Sequence, residues 1–384
     1  MKSNLENNVL TLYFEGELNS YNADASEKDI EAALNNQNFN QLILNFEKLH
    51  YISSAGLRVI LKLKQKYKEV IVTEVSLEVY DVLQMTGFIN IMEVKKALKK
   101  VDVKGAEIIG QGFFSTVYRL DKDTIIKVFN RTSDTNQIER ELRLAKEAFV
   151  LGVPTAISFD IVKVEEKLGV RFEMLDCMSL KNAFINYPEK YDEYLHKYAD
   201  LLKKINSIEC FNPMIPDIKK FYFEKLEKIK AILGDNYYQK AEALITSIPE
   251  RKTFVHGDCH FKNIMVQGEE FILIDMDTLS VGHPIFELGA LYAPYCAFNE
   301  DEPGNSQKFF DISDEEARKL YDSLINLYFG KDDPVIKDKI RIVCYIHMVW
   351  WNRTNEPTNN VRLEGCKGRL ISLLDQYNDL DIGI

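Results

Sequence analysis

The chain has 384 residues, 46% of them hydrophobic, so it is long and apolar enough to form two or three domains with buried cores. Its formal net charge of -11 argues against a nucleic-acid-binding surface, which needs a concentrated patch of Lys and Arg. No segment has the roughly 18 apolar residues that a membrane span requires, and the first residues lack the pattern of a signal peptide. These features predict a globular cytoplasmic protein that binds neither nucleic acid nor membranes.

The first hundred residues alternate strand-like and helix-like segments. Residues Val9–Leu18, Gln41–Leu49 and Glu69–Val75 are rich in apolar and β-forming side chains. A small mixed α/β domain is therefore predicted over residues 1–98. The lysine-rich stretch "EVKKALKKVDVKG", which starts at Glu93, is interpreted as a linker, with residues 99–103 separating this domain from the next.

One turn in this domain, "HYISSAGLRVIL", places two serines between an apolar strand and an amphipathic helix. Either Ser53 or Ser54 can cap the helix, because Ser is common at helix N-termini. The segment Tyr51–Leu61 also resembles the signature loop of STAS domains, the family of anti-sigma-factor antagonists, and the resemblance extends over about residues 5 to 98. It implies a protein partner and a phosphoacceptor role for Ser54, although Ser53 stands where that family usually has Asp.

A glycine-containing turn follows between two strand-like runs, in "EIIGQGFFSTVYRLDKDTIIKVFN". Gly110 and Gly112 would leave backbone N–H groups free to cover an anionic ligand, although an ordinary hairpin turn gives the same pattern. Lys127 lies in the apolar run "TIIKVF", where an alternating strand points it toward apolar neighbours. A lysine in such a position needs an anion or a carboxylate as its partner.

The next helical segment, Asn136–Gly152, offers that carboxylate. Its predicted apolar stripe consists of Ile138, Leu142, Ala145 and Phe149. At 100° per residue, Glu141 lies closer to this stripe than Glu139 or Glu147. Glu141 is therefore expected to meet Lys127, and the other two glutamates are expected to face solvent.

The segment "TFVHGDCHFKN" (Thr253–Asn263) concentrates polar residues. A zinc site would use His256 and His260 as an i, i+4 pair on a helix, but the glycine between them and the β-rich start favour a loop. A core segment explains its apolar residues and not Asp258 or Asn263. The remaining interpretation is a catalytic loop.

Phosphoryl transfer explains the residue types around this loop. It needs a carboxylate at the acceptor hydroxyl, hard oxygen ligands for Mg²⁺, and a lysine that neutralises the phosphate chain. Asp258, Asn263, Asp275 and Lys127 supply that set along the chain. Asp275 follows the apolar run "FILI", where a carboxylate is costly without a nearby cation.

Three motifs in order resemble the kinase-like phosphotransferases of the aminoglycoside phosphotransferase and choline kinase branch, over roughly residues 104 to 384. "HGDCHFKN" is similar to the H-G-D-x-H-x-x-N loop, "ILIDMD" to the I-D-x-D/E strand, and "GHPIFELG" to the G-D-P-x-x-D-L-A helix start. His283 and Glu287 replace the two acids of the last motif, which predicts a supporting role there. The absence of H-R-D, D-F-G and A-P-E runs favours a small-molecule acceptor over a protein.

The resemblance implies a role for each matching position. Asp258 would be the catalytic base, and Asn263 and Asp275 would bind magnesium. Backbone groups of the hinge segment "RFEMLD" would hold the adenine of ATP. The residues expected to hold the nucleotide are Gly110, Gly112, Ser115, Lys127, Glu141, Glu173 and Leu175.

We therefore expect an α/β STAS-type N-terminal domain followed by a bilobal α+β protein-kinase-like domain, with an N-lobe and hinge at residues 104–176 and a C-lobe at 177–384. The expected function is transfer of the γ-phosphoryl group of ATP, with Mg²⁺, to a hydroxyl of an aminoglycoside-, choline- or sugar-like small molecule, with the STAS module regulating or docking. The alternative is a nucleotide-sensing scaffold that binds a partner through the STAS domain and is phosphorylated at Ser54.

The acceptor is the least defined part of the prediction. The region from Met178 onward has more acidic than basic residues, which either attracts a cationic amine or amino sugar or only keeps the surface soluble. Residues Phe298–Phe310 and His347–Arg353 are expected to line the acceptor side. Trp350 and Trp351 lie 100° apart on a helix, so one of them is expected in the core.

Overall fold

The computed structural model describes residues 1–112, 115–130 and 135–384, with side chains from residue 137 in the last range. Phe113 and Phe114, in the glycine-containing turn, lie outside the described residues. The chain divides into two compact units, one made of Met1–Asp102 with Val162–Glu166 and the other of Val103–Ile161 with Lys167–Ile384. No helix in the described part of the chain is both long and apolar enough to cross a membrane.

The first unit combines a mixed sheet with helices, as its alternating segments predict. Its elements are β1 (Lys2–Glu6), β2 (Val9–Leu18), α1 (Ala23–Leu34), β3 (Gln41–Ile52), α2 (Ser54–Lys66), β4 (Val70–Val75), α3 (Leu77–Met85), β5 (Glu93–Lys96) and β6 (Lys99–Lys100). The sheet order is β1-β2-β3-β4-β5, antiparallel between β1 and β2 and parallel from β2 to β5. Leu10, Leu12 and Phe14 alternate with less buried residues and contribute to its core.

The linker prediction was wrong for Glu93–Lys96, which form the edge strand β5. Val94 pairs with Val72 of β4 and is half-buried, whereas Glu93 is exposed. An edge strand carries many lysines because one of its sides faces solvent, so its composition resembles that of a linker. Residues Lys99–Lys100, predicted to be linker as well, are also extended.

The second unit begins with an antiparallel sheet and one long helix. These elements are β7 (Glu107–Gln111), β8 (Ser115–Arg119), β9 (Thr124–Phe129), α4 (Thr135–Val150), β10 (Ser158–Val164) and β11 (Lys167–Glu173). The last three residues of β10 are counted with the first unit. Strands follow the order β10-β11-β9-β8-β7, so β9 lies between β11 and β8. Lys127 is therefore on a central strand of this sheet.

The predicted apolar stripe of α4 had the wrong phase. Its buried residues are Ile138, Glu141, Leu144, Ala145 and Ala148. Phe149, assigned to the stripe, is 48% exposed. The carboxylate of Glu141 thus lies within the buried face of the helix rather than at its border, which strengthens its need for a cationic partner.

The rest of the second unit is mainly helical around two small groups of strands. The strands are β12 (Met178–Ser179), β13 (Thr253–Val255), β14 (Ile264–Gln267), β15 (Glu270–Leu273) and β16 (Ser280–Gly282). The helices are α5 (Leu180–Asn186), α6 (Tyr191–Ser207), α7 (Ile218–Leu233), α8 (Asp235–Ser247), α9 (Ile285–Tyr292), α10 (Phe298–Asp301), α11 (Asn305–Phe310), α12 (Asp314–Phe329), α13 (Pro334–Asn355) and α14 (Asn360–Leu374).

The loop between β13 and β14 is fixed at its ends by strand pairing. Strand β13 pairs with β16, and β14 pairs with β15. The N–H of Ile274, just after β15, donates to the carbonyl of Asn263 at 3.0 Å. This bond brings the end of the loop beside Asp275.

Candidate active site

The loop His256–Asn263 depends on a buried glutamate. Glu287, on α9, is fully buried and accepts hydrogen bonds from the backbone N–H groups of His256 and Gly257, the latter at 3.2 Å. Gly257 has a φ of +81°, and a Cβ there would lie 3.2 Å from the carbonyl oxygen of Thr278. Both the conformation and the close approach therefore favour glycine at this position.

Two buried tyrosines hold the other side of the loop. Tyr198, on α6, donates its hydroxyl proton to the carbonyl of Cys259, and the hydroxyl of Tyr295 accepts from the N–H of Phe261 at 2.9 Å. Side chains from separate helices thus satisfy backbone groups that no strand pairs. The loop is preorganised by the protein around it.

His256, the first histidine of the loop, uses both ring nitrogens in contacts with the backbone. His256 Nε2 lies 3.1 Å from the carbonyl of Ile274, and its Nδ1 accepts from the N–H of Asp258 at 3.2 Å. Burial lowers the pKa of His256, so the ring is neutral, with the proton on Nε2. Among residues 1–112, 115–130 and 137–384, no cluster of three or more His, Cys, Asp or Glu side chains could hold a metal ion.

Asp258 lies beside Asn263 and other acids. Asn263 Nδ2 donates to the Asp258 carbonyl at 2.9 Å and to Asp258 Oδ2 at 3.0 Å. Burial, with the neighbouring charges of Asp275 and Asp277, raises the pKa of Asp258 to about 8. The structure thus gathers carboxyl groups from two segments at one position, where a cation would stabilise their ionised forms.

Lys127 joins the N-lobe to these acids. Its Nζ donates to Glu141 Oε1 and to Asp275 Oδ1, each at 2.8 Å. Burial opposes the charge of Lys127, but the two carboxylates outweigh burial and raise its pKa. Burial also disfavours charge on Asp275, yet Lys127 more than offsets this effect and holds the Asp275 pKa below its usual value. For Glu141 burial dominates, and its pKa is raised.

Asp275 has a backbone conformation that is uncommon for a residue other than glycine. Its φ of +66° places it in the left-handed region, and the 3-10 turn Met276–Thr278 begins directly after it. Burial, followed by the charge of Asp275, raises the pKa of Asp277 to about 7. The two acids of the "IDMD" motif therefore differ, because Lys127 contacts only Asp275.

A cavity of about 360 Å³ lies at Lys127. Six of the residues expected to hold the nucleotide line it, namely Gly110, Ser115, Lys127, Glu141, Glu173 and Leu175. Gly112 is not among its described lining residues, and its N–H donates to the Ser115 carbonyl at 2.9 Å. The Glu173 carboxylate accepts from the N–H of Ile157 at 2.7 Å, so it holds the neighbouring strand connection. Asp275 lines the same cavity.

A second cavity, of about 860 Å³, contains Asp258 and Asp277 in its wall. The segments expected on the acceptor side contribute to it through Phe298, Asn305, Lys308, Phe309, His347, Trp350 and Trp351. Both tryptophans are half-buried and line the cavity, and Trp350 also packs against the hydrophobic core of the unit, as expected for one of the pair. A broad cavity wall accommodates two side chains that lie 100° apart on a helix.

The oxygen atoms at the junction of the cavities suit a hard divalent cation. Mg²⁺ in phosphoryl-transfer sites uses one or two protein oxygen ligands and completes its shell with phosphate and water. Asp275 and Asn263 would hold it, since the bond from Ile274 to Asn263 places them on adjacent segments. Burial, followed by the charges of neighbouring carboxylates, raises the pKa values of Asp258 and Asp277, and such a cation would favour their ionised forms.

Several residues that shape the site were not identified from the sequence. Tyr198 and Tyr295 come from helical segments without a motif, and no local pattern predicts their contact with a loop more than 30 residues away. Glu287 was identified only through the family motif. Its place in an otherwise apolar helix, "IFELGALY", was the available signal, because a carboxylate there must have buried donors.

Two family models match the chain. The model of the phosphotransferase enzyme family matches residues 105–321, and the STAS domain model matches residues 2–101. A curated protein of Bordetella bronchiseptica, named "Putative anti-sigma factor antagonist BtrV", is 33% identical over 90 residues, which cover 22% of this chain and 77% of that protein.

Solved structures with similar folds include a choline/ethanolamine kinase family protein from Mesorhizobium loti, with 14% identity, a TM-score of 0.47, and coverage of 70% of this chain and 88% of that one. The ADP-bound aminoglycoside phosphotransferase APH(2'')-Ib has 15% identity and a TM-score of 0.46, covering 71% of this chain and 96% of its own. Sequence identities and TM-scores this low do not assign a role to any residue of this chain.

Proposed function

Since the chain belongs to the phosphotransferase enzyme family and carries an N-terminal STAS domain, we propose that it transfers the γ-phosphoryl group of ATP to a hydroxyl of a small molecule. The main support is the convergence of Lys127, Asp258 and Asp275, residues far apart in sequence, at two adjoining cavities. One cavity suits the nucleotide and the other suits the acceptor.

In this proposal Lys127 binds the α- and β-phosphates, and Glu141 keeps the ammonium group in place. Asp258 orients the acceptor hydroxyl and accepts its proton as the acceptor oxygen bonds to the γ-phosphorus. The bond between the γ-phosphorus and the β,γ-bridging oxygen breaks, and ADP leaves with that oxygen. Asn263 positions Asp258 through its Nδ2 bond at 3.0 Å.

Magnesium would be held by Asp275 and Asn263, and it would neutralise charge on the phosphates. Lys127 occupies only Oδ1 of Asp275 in the contacts described above. We expect EDTA to abolish turnover and excess MgCl₂ to restore it. Turnover that persists in EDTA would contradict the magnesium part of the proposal.

The decisive variant is Asp258→Asn, which keeps the shape and removes the base. We expect turnover to fall at least about a hundredfold, with nucleotide binding largely retained. Formation of ADP and of phosphorylated product is measured with ATP, MgCl₂ and a panel of hydroxyl compounds. Asp200→Asn, at an exposed aspartate of α6, is the matched control. Equal turnover in wild type and Asp258→Asn would contradict the proposed enzyme function.

A nucleotide-sensing scaffold is the second candidate function. It is favoured by the position of Ser54, which is exposed at the first residue of α2 and therefore accessible to a kinase or a partner. A phosphate there would carry roughly -1.5 to -2 charge beside the positive end of the helix dipole. Nucleotide binding without turnover on any acceptor would support this function over the enzyme.

Phosphorylation of Ser54 has its own test. Intact-mass analysis after incubation with ATP and MgCl₂ measures addition of a phosphate to the wild type and to Ser54→Ala. A mass increase present only in the wild type supports Ser54 as the acceptor. An unchanged wild-type mass would contradict self-phosphorylation.

A further inference from the structure

The acceptor cavity contains a half-buried lysine without a carboxylate partner among the described side chains. Lys225, on α7, lines the 860 Å³ cavity, and no ion pair joins it to any Asp or Glu among the described side chains. Its Nζ lies 4.5 Å from the ring centroid of Tyr222 and 5.0 Å from that of Trp350. Aromatic faces attract an ammonium group but do not neutralise it.

The remaining polar contact of Lys225 is also uncharged. Its Nζ lies 2.9 Å from His347 Nδ1. Burial, together with the charge of Lys225, lowers the pKa of His347, so the imidazole is neutral. Its Nδ1 therefore accepts a hydrogen bond from the ammonium group of Lys225. Burial without a compensating anion lowers the pKa of Lys225 to about 8. An anionic group of a bound ligand would supply the counter-charge that Lys225 lacks.

Most of the charged side chains near Lys225 in the cavity wall are also cationic. Arg140, Lys228 and Lys308 line the cavity as well, and all three are exposed. The acids of the wall are Asp258 of the loop, Asp277 of the "IDMD" motif and the exposed Glu224. Away from Asp258 and Asp277 the wall is therefore mainly cationic, although the chain has a net charge of -11. A cationic amine would be repelled there, whereas an acid would be attracted.

We propose that Lys225 binds an anionic group of the acceptor, a carboxylate or a phosphate, so that the substrate of this site is a hydroxyl-bearing acid. This inference rests on the proposed function, because it assigns the substrate class of the same cavity. Asp258 receives the hydroxyl at one part of the cavity, and Lys225 with Trp350 fixes the acidic group and the apolar body at another.

Four probes that share the glucose ring and differ in charge test the inference: glucuronic acid, glucose 6-phosphate, glucose and glucosamine. Their binding to the full chain is measured by thermal shift with ADP and MgCl₂ present. We expect glucuronic acid or glucose 6-phosphate to raise the melting temperature and glucosamine to leave it unchanged. Comparing glucuronic acid with glucose 6-phosphate shows whether the anionic group that Lys225 binds is a carboxylate or a phosphate.

Lys225→Met keeps the aliphatic stem and removes the charge, so it should weaken binding of the acidic probe at least tenfold. Lys220→Met, at an exposed lysine of the same helix outside the cavity lining, is the control and should bind like the wild type. If Lys225→Met does not fold, Lys225→Gln and the wild-type comparison of acids with glucosamine decide the question.

Three results would overturn the inference: no stabilisation by either acid, a larger shift with glucosamine, or unchanged acid binding in the Lys225 variant. Failure of the proposed function gives a different result, because acids would still stabilise the protein while no phosphorylated product forms. Transfer to glucosamine without acid binding would keep the proposed function and reject the acidic substrate.

Discussion

The start of α2 and the loop after β13 both concentrate polar side chains, but these side chains find their partners differently. Ser53 accepts a hydrogen bond from the N–H of Gly56, three residues away, and Ser54 is exposed. Asp258 lies instead beside like charges, and Lys127 bonds to Asp275 over 148 residues. Local pairing makes a helix cap, whereas charged side chains that come together from distant parts of the chain indicate a site that a ligand completes.

Among the variants that test this comparison, Lys127→Met should have the largest effect, because it leaves Glu141 and Asp275 without their cation. Removing one group that stabilises developing phosphate charge should lower kcat/KM about a hundredfold, or about 2.7 kcal/mol. Steady-state kinetics measure this loss. Lys122→Met is the control, since Lys122 is exposed and, within the described part of the chain, forms an ion pair with the adjacent Asp123 alone, at 3.7 Å. If Lys127→Met and Lys122→Met had similar kinetics, the prediction that the long-range ion pairs of Lys127 matter more than the local pair of Lys122 would be contradicted.

Glu287 should make the stability of the second unit depend on pH. Burial, opposed only in part by backbone N–H groups, raises its pKa to about 7 from 4.5. The folded state then holds a proton that the unfolded state releases, so this contribution falls as pH rises from 5 to 7.5, by about 2 kcal/mol. Glu287→Gln cannot release a proton. Urea unfolding at both pH values should show a flatter pH dependence in this variant, and equal slopes would contradict the assignment.

Ser53→Ala should have a smaller effect, since it removes a cap and no buried charge. The Ser53 hydroxyl accepts from Gly56 N at 3.4 Å, so its loss should cost about 1 kcal/mol. Denaturant unfolding of the full chain, followed by a probe in the first unit, measures this change. Ser53→Asp restores a capping oxygen and should recover the stability. A variant as stable as the wild type would show that the cap is dispensable.

Ser54→Ala should change the stability least. The side chain is exposed at the first residue of α2, where no cap hydrogen bond depends on it, so the difference should stay within about 0.5 kcal/mol. The same unfolding experiment provides the comparison with Ser53→Ala. A larger loss for Ser54 than for Ser53 would reverse the assignment of the capping residue.

Residue patterns predicted which polar side chains of the loop and of the neighbouring strands come together, because a phosphoryl-transfer site would require fixed residue types at short spacing. Asp258 and Asn263 contact each other across five positions, and Lys127 meets Glu141 across 14. The position of Glu141 on α4 was less well predicted, since an exposed Phe149 was placed in the buried stripe. Apolar character alone does not fix the phase of a helix whose buried face contains a carboxylate.

The sequence predicted two segments that line the 860 Å³ cavity, but it did not predict the cationic side of the cavity around Lys225. Lys225 is one of several lysines in "IKKFYFEKLEKIK", and no pattern separates it from its exposed neighbour Lys228. Its position depends on His347 and Trp350 of α13, more than 120 residues later. The overall acidity of the region also gave no guide, because the sign of a cavity depends on the few charges that line it.

The hydrogen bonds from the loop backbone to Glu287 have a consequence for the newly made protein. The ribosome releases His256 and Gly257 before Glu287, because that residue comes about 30 positions later in the chain. Until α9 emerges, these two peptide groups lack their acceptor and remain hydrated. A truncated chain that stops before α9 would contain every residue of the "HGDCHFKN" motif and still lack the carboxylate that shapes it.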